Sequence, residues 1–363
     1  MGKRFGRARH GRRSLAGRHE IQTGAAETPA LSPKTRPDPC GELCAPRLEL
    51  ALLDPQVLAM EHDNGSLDKT AITPALVSGL LERQFPQWAH LLVSRVELDG
   101  WDNTTFRLGD EFSVQLPSAD GYVPQVDKEH RWLPVLAPQL PLRIPEPVAR
   151  GEPEPAFPRP WSVYRWLRGE PATVERVHDL ELFAHDLSAF LAALYEIDPA
   201  SGPPAGQHSF FRGGPLATYD AETRASIAAL ADRIDARAAT QVWEAALITE
   251  WRQSPVWMHG DIAGSNLLVV DGRLSAVIDF GCSAVGDPAC DLAIAWTFLF
   301  ADSREAFRDR LGLDRGTWAR GRGWALWKAL ITLANDGAGA AAERFGWRIG
   351  ARQVIDEVLA DHG

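Results

Sequence analysis

Residues 257–296 read WMHGDIAGSNLLVVDGRLSAVIDFGCSAVGDPACDLAIAW and contain two short polar motifs in apolar surroundings. The first motif is HGDIAGSN, in which four residues separate Asp261 from Asn266. The second is IDFG, which places Asp279 near the end of LSAVIDF, an apolar run typical of a buried strand. The stretch therefore combines a polar turn that carries a carboxylate and an amide with a strand that ends in a second carboxylate.

The spacing D-x-x-x-x-N, followed by a strand and D-F-G, is the arrangement of phosphoryl-transfer enzymes of the protein-kinase type. In such a site one Asp orients the attacking hydroxyl, and we predict this role for Asp261. Asn266 and Asp279 are hard oxygen ligands suited to Mg²⁺. Solvated Asp residues in surface turns would be the simpler interpretation. The order of the two motifs, each beside a strand-like run, favours phosphoryl transfer.

Three further polar residues surround these motifs. We expect His259 to brace the loop through hydrogen bonds of its ring rather than to take part in catalysis. Asp287 precedes Pro288 and suits the N-cap of a helix, which is a structural role. Asp291 could face a cleft or bond back to the catalytic loop, and we favour a structural role for it as well.

The composition predicts a soluble chain with two lobes. The 363 residues are 45% hydrophobic and 24% charged, and no apolar run approaches the roughly 18 residues of a membrane span. The cysteines are too few and too unevenly placed for a disulfide framework, and the first two lack the second ligand pair of a zinc site. We therefore expect a reducing, cytoplasmic compartment. The cysteines are Cys40, Cys44, Cys282 and Cys290.

The charge is unevenly distributed along the chain. The formal net charge is −10, but residues 1–59 carry +4 and residues 60–363 carry −14. An acidic body is a poor nucleic-acid binder, because phosphate neutralisation needs clustered Lys and Arg. The same charge would suit a cationic small molecule.

Residues 60–167 have the pattern of a strand-rich lobe. The preceding residues 1–59 are predicted to be a disordered extension or sequence upstream of a true start near Met60. Thr73 and Pro74 suit the start of a helix. TFRLGDEFSVQLP predicts a hairpin that turns at Gly109-Asp110. The loop DGWDNTT before it resembles a phosphate-covering loop, so Asn103 and Thr104 are candidate nucleotide contacts.

VPQVDKEHRWLPVLAPQL predicts a helix that carries Glu129, and WSVYRWLRGEPA predicts an edge strand that enters an interlobe hinge. Both segments begin within the first lobe.

Residues 168–363 have the pattern of a mostly helical lobe. Beyond the hinge, long helices are expected over residues 179–195 and 220–251, and again over 302–363. The fold class expected is α+β.

HGDIAGSN, IDFG and GDPACDLA together resemble the aminoglycoside phosphotransferase family over roughly residues 72–360. The resemblance implies a bilobal protein-kinase-like fold with a strand-rich N-lobe and a mostly helical C-lobe. It also implies ATP, or possibly GTP, with Mg²⁺, and transfer of the γ-phosphate to a hydroxyl of a small molecule. The acceptor stays open between an aminoglycoside, a macrolide, a sugar, an amino alcohol and another metabolite. Antibiotic resistance is implied at the family level alone, and the chain could act as a monomer or a homodimer.

The resemblance assigns roles position by position. Asp261 becomes the catalytic Asp, and Asn266 and Asp279 become the metal ligands. Glu129 matches the glutamate of the N-lobe helix. The adenine-contacting hinge is matched by Arg165, Trp166 and Leu167.

One position departs from the family. Where the family has a strand Lys, or in this branch an Arg, the sequence has Gln115, whose neutral amide cannot neutralise phosphate or form an ion pair with Glu129. Arg107 or Lys128 could supply the charge in another register, nucleotide affinity could be weaker, or the protein could bind nucleotide without catalysis. The intact catalytic loop favours an active enzyme. A P-loop NTPase is excluded, because G-x-x-x-x-G-K-[ST] is absent. A protein kinase is disfavoured by the lack of an A-P-E segment.

Overall fold

The computed structural model describes residues 69–96, 100, 102–335 and 345–362. The predicted extension at residues 1–59, which includes Cys40 and Cys44, and the predicted start at Met60 lie outside the described residues. The architecture below therefore concerns the part of the chain in which the predicted lobes lie.

A five-stranded antiparallel sheet forms the first part, with the order β1-β2-β3-β5-β4. The β2–β3 hairpin turns at the predicted position, and Gly109 takes φ +54° there, which a glycine adopts without strain. The prediction that the segment beginning at Trp161 forms an edge strand is wrong. This segment forms β5, which lies inside the sheet because β4 pairs along its outer side. The strands are β1 (Val93–Arg95), β2 (Asn103–Leu108), β3 (Phe112–Pro117), β4 (Pro147–Gly151) and β5 (Trp161–Arg165).

Two helices accompany this sheet, α1 (Pro74–Gln84) and α2 (Val123–Leu136). Helix α1 begins as predicted, because the Thr73 side chain accepts the backbone N–H of Leu76 and Pro74 occupies the first turn. Its apolar stripe packs on one face of the sheet and forms a separate core. That core includes Val77, Leu80, Leu81, Phe106, Val114, Leu116, Trp161 and Val163.

The second part is mostly helical and carries two small antiparallel sheets, β6-β8-β9 and β7-β10. Its strands are β6 (Glu170–Pro171), β7 (Val256–Met258), β8 (Leu267–Val270), β9 (Arg273–Val277) and β10 (Ala284–Gly286). Its helices are α3 (Leu180–Glu196), α4 (Asp220–Ala229), α5 (Ala236–Leu247), α6 (Ile294–Thr297), α7 (Ala301–Leu311), α8 (Arg315–Asn335) and α9 (Ala351–Ala360).

The single helix expected over residues 220–251 is two helices. The chain leaves α4 at Leu230 and begins α5 after Asp235, whose carboxylate caps the new helix by accepting the N–H of Ala238. The local cap formed by the Asp235 side chain is therefore favoured over continuation of α4.

Helix α8 lies at the centre of the helical part. The residues that the sequence predicted as core on this helix are all buried, namely Trp318, Trp324, Leu326, Trp327 and Leu330. In the described residues, no helix is both long and apolar enough to cross a membrane. The predicted boundary between residues 167 and 168 falls between β5 and β6. A strand-rich part thus precedes a helical one, as the predicted α+β class requires.

Candidate active site

The loop that we predict to be catalytic begins where β7 ends. Gly260 has φ +88°, and a Cβ there would lie 2.6 Å from the carbonyl oxygen of Cys282, so a side chain would be excluded. Asp261 follows this turn. The Nδ2 atom of Asn266 donates to the Asp261 backbone oxygen at 3.0 Å and to its Oδ2 at 3.1 Å. The two polar residues of the first motif therefore meet in one loop.

His259 braces this loop, as predicted. Its Nε2–H donates to the carbonyl of Ile278 at 3.0 Å, and its Nδ1 accepts the backbone N–H of Asp261 at 3.2 Å. The bond to Nδ1 requires the neutral ring, because a protonated ring would turn Nδ1 into a donor facing a donor. Burial lowers the pKa of His259 to about 4, which agrees with that requirement.

Asp291 bonds back to the catalytic loop, which was one of its two predicted alternatives. Its carboxylate accepts the backbone N–H of His259 at 3.0 Å and that of Gly260 at 2.7 Å. Burial raises the pKa of Asp291 to about 7, although the two N–H groups oppose the rise. The residue holds the loop that presents Asp261.

Asp287 has a wider role than the predicted cap. It does accept the N–H of Ala289 at 3.1 Å as an N-cap. It also forms a buried ion pair with Arg320 of α8, whose Nε lies 2.6 Å from Oδ2. The pair ties the segment after the second motif to the central helix.

Asp279 follows the end of β9. It adopts φ +67°, a left-handed conformation that is uncommon for a residue with a side chain and is often found at functional sites. The N–H of Ile278, the residue before it, donates to the carbonyl of Asn266 at 2.9 Å and so joins the two motifs. Burial of the carboxylate away from water, together with the nearby carboxylates of Asp102 and Asp261, raises the pKa of Asp279.

Asn266 and Asp279 supply oxygen donors that fit a divalent cation. In the described residues, no group of three or more His, Cys, Asp and Glu side chains is placed to hold a metal ion. The carboxylates of Asp102 and Asp261 raise the pKa of Asp279, and a cation beside Asp279 would relieve that repulsion. Asn266 uses its amide N–H on Asp261, which leaves its amide oxygen for a ligand role. Carboxylate and amide oxygens are the ligands that Mg²⁺ prefers.

A polar cavity lies between the sheet and α2, where the sequence placed the nucleotide phosphates. Gln115 and Asn103 line it together with Glu129 and Tyr164. Glu129 accepts a hydrogen bond from the Tyr164 hydroxyl, so the helix glutamate has a neutral partner. Gln115 thus lines the same cavity as Glu129, and its place at the nucleotide phosphates stays a prediction.

The two alternative cations are engaged elsewhere. Arg107 stacks on the ring of Trp166, 4.1 Å from its centroid, and donates to the carbonyls of Gly109 and Asp110. Lys128 is buried and donates to backbone carbonyls of the helical part, including that of Gly281 at 2.6 Å. The explanation by a shifted register thus finds no support in the described contacts.

Of the three predicted hinge residues, Arg165 lies at the surface and Leu167 lies in the core. Arg165 pairs with Glu111 at the surface, and the Trp166 N–H donates to the Glu111 carbonyl at 2.7 Å. Leu167 packs between strands of the helical part. Thr104 is fully buried and does not line this cavity, and its contact with a nucleotide stays a prediction.

The sequence analysis did not identify three residues near Asp261 and Asp279, namely Lys328, Arg212 and Asp102. Lys328 Nζ lies 2.7 Å from Asp261 Oδ1, and Arg212 adds a second cation near the same carboxylate. Asp102, held by Gln125 at 2.8 Å, enters the cleft from the loop before β2. The only sequence signals were a lone lysine in the apolar run WALWKAL and an arginine before two glycines in RGGP.

Comparison with known proteins identifies the family. The model of the phosphotransferase enzyme family APH matches residues 93–325, which is more than half of the chain. The chain belongs to this family. An aminoglycoside 3'-phosphotransferase from Escherichia coli is 40% identical over 62 residues, which are 17% of this chain. The match spans 23% of the length of that curated relative.

Solved structures of phosphotransferases share the fold. A GDP and kanamycin complex of APH(2")-IIia has a TM-score of 0.60 at 18% identity and covers 79% of this chain and 99% of its own. A streptomycin and ATP complex of APH(2")-IIa has 0.53 at 18%, with 78% and 99% covered. The macrolide 2'-phosphotransferase MphH from Brachybacterium faecium has 0.50 at 22%, with 74% and 97% covered. These likenesses confirm the predicted bilobal protein-kinase-like fold.

Proposed function

We propose that this family member transfers the γ-phosphoryl group of ATP or GTP to a hydroxyl of a small molecule. The observation that carries the proposal is the hydrogen bonding that joins the two motifs: Asn266 donates to Asp261, and the N–H of Ile278, beside Asp279, donates to the carbonyl of Asn266. A phosphoryl-transfer site needs a group that aims the hydroxyl and oxygen ligands that hold a cation, and these residues supply both. The relatives with bound GDP, ATP or kanamycin support the same reaction class.

Asp261 would orient the acceptor. Burial alone would raise its pKa, but the cations Lys328 and Arg212 outweigh burial and hold the pKa well below its usual value. The carboxylate is therefore a weak base and acts by accepting a hydrogen bond from the hydroxyl. The acceptor oxygen attacks the γ-phosphorus, the bond to the bridging oxygen breaks, and the nucleoside diphosphate leaves with the electron pair. The hydroxyl proton is released once the new ester bond forms.

Asp279 and Asn266 would hold Mg²⁺, which supplies positive charge to the nucleotide phosphates when bound. His259 and Asp291 keep the loop in place, and Lys128 fixes α2 to the catalytic segment. The buried free thiols of Cys282 and Cys290 are compatible with a reducing, cytoplasmic compartment.

One observation favours a second function, nucleotide binding without turnover. In the described residues, the cavity beside Glu129 is lined by Gln115 and other neutral groups, and Lys128 is committed to carbonyl oxygens. A phosphate chain would then lack the cation that the family places on β3.

The test is ADP release by the full chain with Mg·ATP and a panel of aminoglycosides, macrolides and amino alcohols. Phosphoryl transfer to at least one acceptor is expected, and Asp261→Asn should reduce it by about 100-fold or more. Asp232→Asn, at an exposed position outside the cleft, is the matched control. Tight Mg·ATP binding with no turnover across the panel would favour the second function. Turnover that persists in Asp261→Asn would overturn the catalytic assignment.

A further inference from the structure

The cavity beside Glu129 is lined mostly by side chains that carry oxygen. Its aliphatic member is Val126, and the other members are Asn103, Gln115, Gln125, Glu129, Ser162 and Tyr164. The cavity has room for about one particle the size of a water molecule. Carboxylate, amide and hydroxyl oxygens are the donors that hard cations prefer. A small volume is thus combined with several donors of this kind.

Several of these oxygens have no hydrogen-bond partner in the part of the chain that the structure describes. Glu129 accepts one hydrogen bond, from the Tyr164 hydroxyl, and forms no ion pair there. Gln125 is only 5% exposed and spends its Nε2–H on Asp102 at 2.8 Å, while its Oε1 accepts nothing. The amide of Gln115 is likewise without a partner among these residues. Unsatisfied buried acceptors are costly, so an occupant of the cavity that offers positive charge would be stabilising.

Two further carboxylates lie next to the cavity lining. Asp102 reaches it through the hydrogen bond from Gln125. The segment of Asp279 reaches it as well, because Gly281 packs so closely on Gln125 that an added Cβ would lie 2.8 Å from that side chain. Together with Glu129, these groups make the surroundings of the cavity acidic.

The cations of this region have other partners. The Lys128 ammonium donates to backbone carbonyls of the helical part, including that of Ser283 at 3.1 Å. Arg107 stacks on an indole ring. Arg212 lies over the ring of Trp327 and offsets part of the charge of Asp102, whose pKa it lowers. None of the three lines the cavity, where the one charged side chain is the carboxylate of Glu129.

One carboxylate among neutral oxygens suits a monovalent ion. Mg²⁺ demands near-octahedral coordination and keeps several of its waters, for which this cavity is too small. K⁺ and NH₄⁺ are about the size of a water molecule, and their single charge matches the single carboxylate. A larger ion also loses less hydration energy on burial than Na⁺ or Li⁺.

We propose that the cavity binds a monovalent cation of the size of K⁺, held by Glu129 and by the side-chain oxygens of Gln115 and Gln125. The ion places a positive charge beside the predicted position of the nucleotide phosphates, where the chain itself has the neutral amide of Gln115. Its service to the nucleotide rests on the proposed function, whereas its binding to the cavity does not.

Thermal unfolding of the full chain without nucleotide tests the site itself. The chain is unfolded in the chlorides of K⁺, NH₄⁺, Na⁺, Li⁺ and choline at one ionic strength. The buffer is at about pH 8, because burial raises the pKa of Glu129 to about 7. The midpoint should be higher by about 2 °C or more in K⁺ and NH₄⁺ than in choline, with smaller shifts in Na⁺ and Li⁺. Equal midpoints in K⁺ and choline would overturn the proposal and leave the cavity to water.

Two variants locate the effect. Glu129→Gln removes the charge that holds the ion, and Gln115→Lys fills the cavity with a tethered ammonium, so each should unfold at the same midpoint in K⁺ and choline. Glu181→Gln on α3 and Gln139→Lys beyond the end of α2 make the same changes at exposed positions and should keep the K⁺ effect. Circular dichroism verifies folding, and Gln115→Lys decides if Glu129→Gln does not fold. A K⁺ effect that survives in Gln115→Lys would place the ion elsewhere and overturn the proposal.

Calorimetry with Mg·ATP tests the service to the nucleotide. The wild-type chain should bind Mg·ATP about tenfold more tightly in K⁺ than in choline, and Gln115→Lys should bind it equally in both salts. Equal affinity of the wild type in both salts would overturn this part of the proposal. If K⁺ raised both the midpoint and the affinity but no acceptor of the panel were phosphorylated, the ion site would stand and phosphoryl transfer would fail.

Discussion

Asp291 accepts the backbone N–H of Gly260 at 2.7 Å, although 31 residues separate them. The same carboxylate accepts the N–H of His259, so it closes the turn that carries Asp261. Buried N–H groups need partners, and a carboxylate with two acceptor oxygens satisfies both. The position of Asp261 therefore depends on a residue outside its own motif.

Replacing Asp291 should loosen the catalytic turn. Asp291→Asn keeps the shape but offers one acceptor oxygen and turns its NH₂ group toward a donor. We expect a loss of about 1–3 kcal/mol in the free energy of unfolding and at least about a tenfold fall in kcat. Urea unfolding and ADP release measure the two effects, with Asp302→Asn at an exposed position as the control. Wild-type kcat in Asp291→Asn would show that the turn holds without it.

Replacing Asp287 should lower the free energy of unfolding more than replacing the acidic residue of an exposed ion pair. Asp287→Ala leaves the Arg320 guanidinium buried without its counter-charge, and such losses amount to about 3–5 kcal/mol. The double variant with Arg320→Met should recover much of this, because the charge is removed as well. Asp356→Ala breaks an exposed pair with Arg352 and should cost less than about 1 kcal/mol. Urea unfolding gives all values, and simple additivity of the two single changes would contradict the coupling.

The pH dependence of stability should contain a contribution from His259. Its ring is neutral in the fold, with its pKa lowered to about 4, whereas an unfolded chain takes up a proton below about 6.5. The unfolded state thus binds more protons between these values, and stability falls as the pH falls through this window. The contribution lost is about 3 kcal/mol at most.

His259→Gln should unfold with a weaker dependence on pH between 6.5 and 4, because the titrating ring is gone. Unfolding free energies of both proteins over this range test the point. An identical slope in the variant and the wild type would show that His259 is not buried as a neutral ring.

Restoring a cation at Gln115 should strengthen nucleotide binding. Gln115→Lys places an ammonium in the cavity beside Glu129, where it can pair with the carboxylate and approach phosphate oxygens. We expect Mg·ATP to bind about tenfold more tightly, which calorimetry can measure. Gln139→Lys adds the same charge at an exposed position near the end of α2 and should leave affinity unchanged. No change in Gln115→Lys would mean that this side chain lies away from the phosphates.

Sequence reasoning succeeded where structure depends on near neighbours. The Thr73 cap, the turn at Gly109 and the meeting of Asp261 with Asn266 each involve residues within about one turn of chain. It failed where a neighbour is distant, since the expected edge strand is interior because β4 pairs outside it. It also overlooked one local signal, because the expected long helix divides where Asp235 caps a new helix.

The sequence by itself indicated a strand-rich part followed by a helical part, since apolar runs and turn residues encode this order locally, and it predicted the roles of Asp261, Asn266 and Asp279. Only the tertiary structure decided the electrostatics of the cleft. It brought Lys328 to Asp261 across 67 residues and Lys128 to Gly281 across 153. The strength of an ion pair depends on distance and burial, and both are set by packing rather than by separation along the chain.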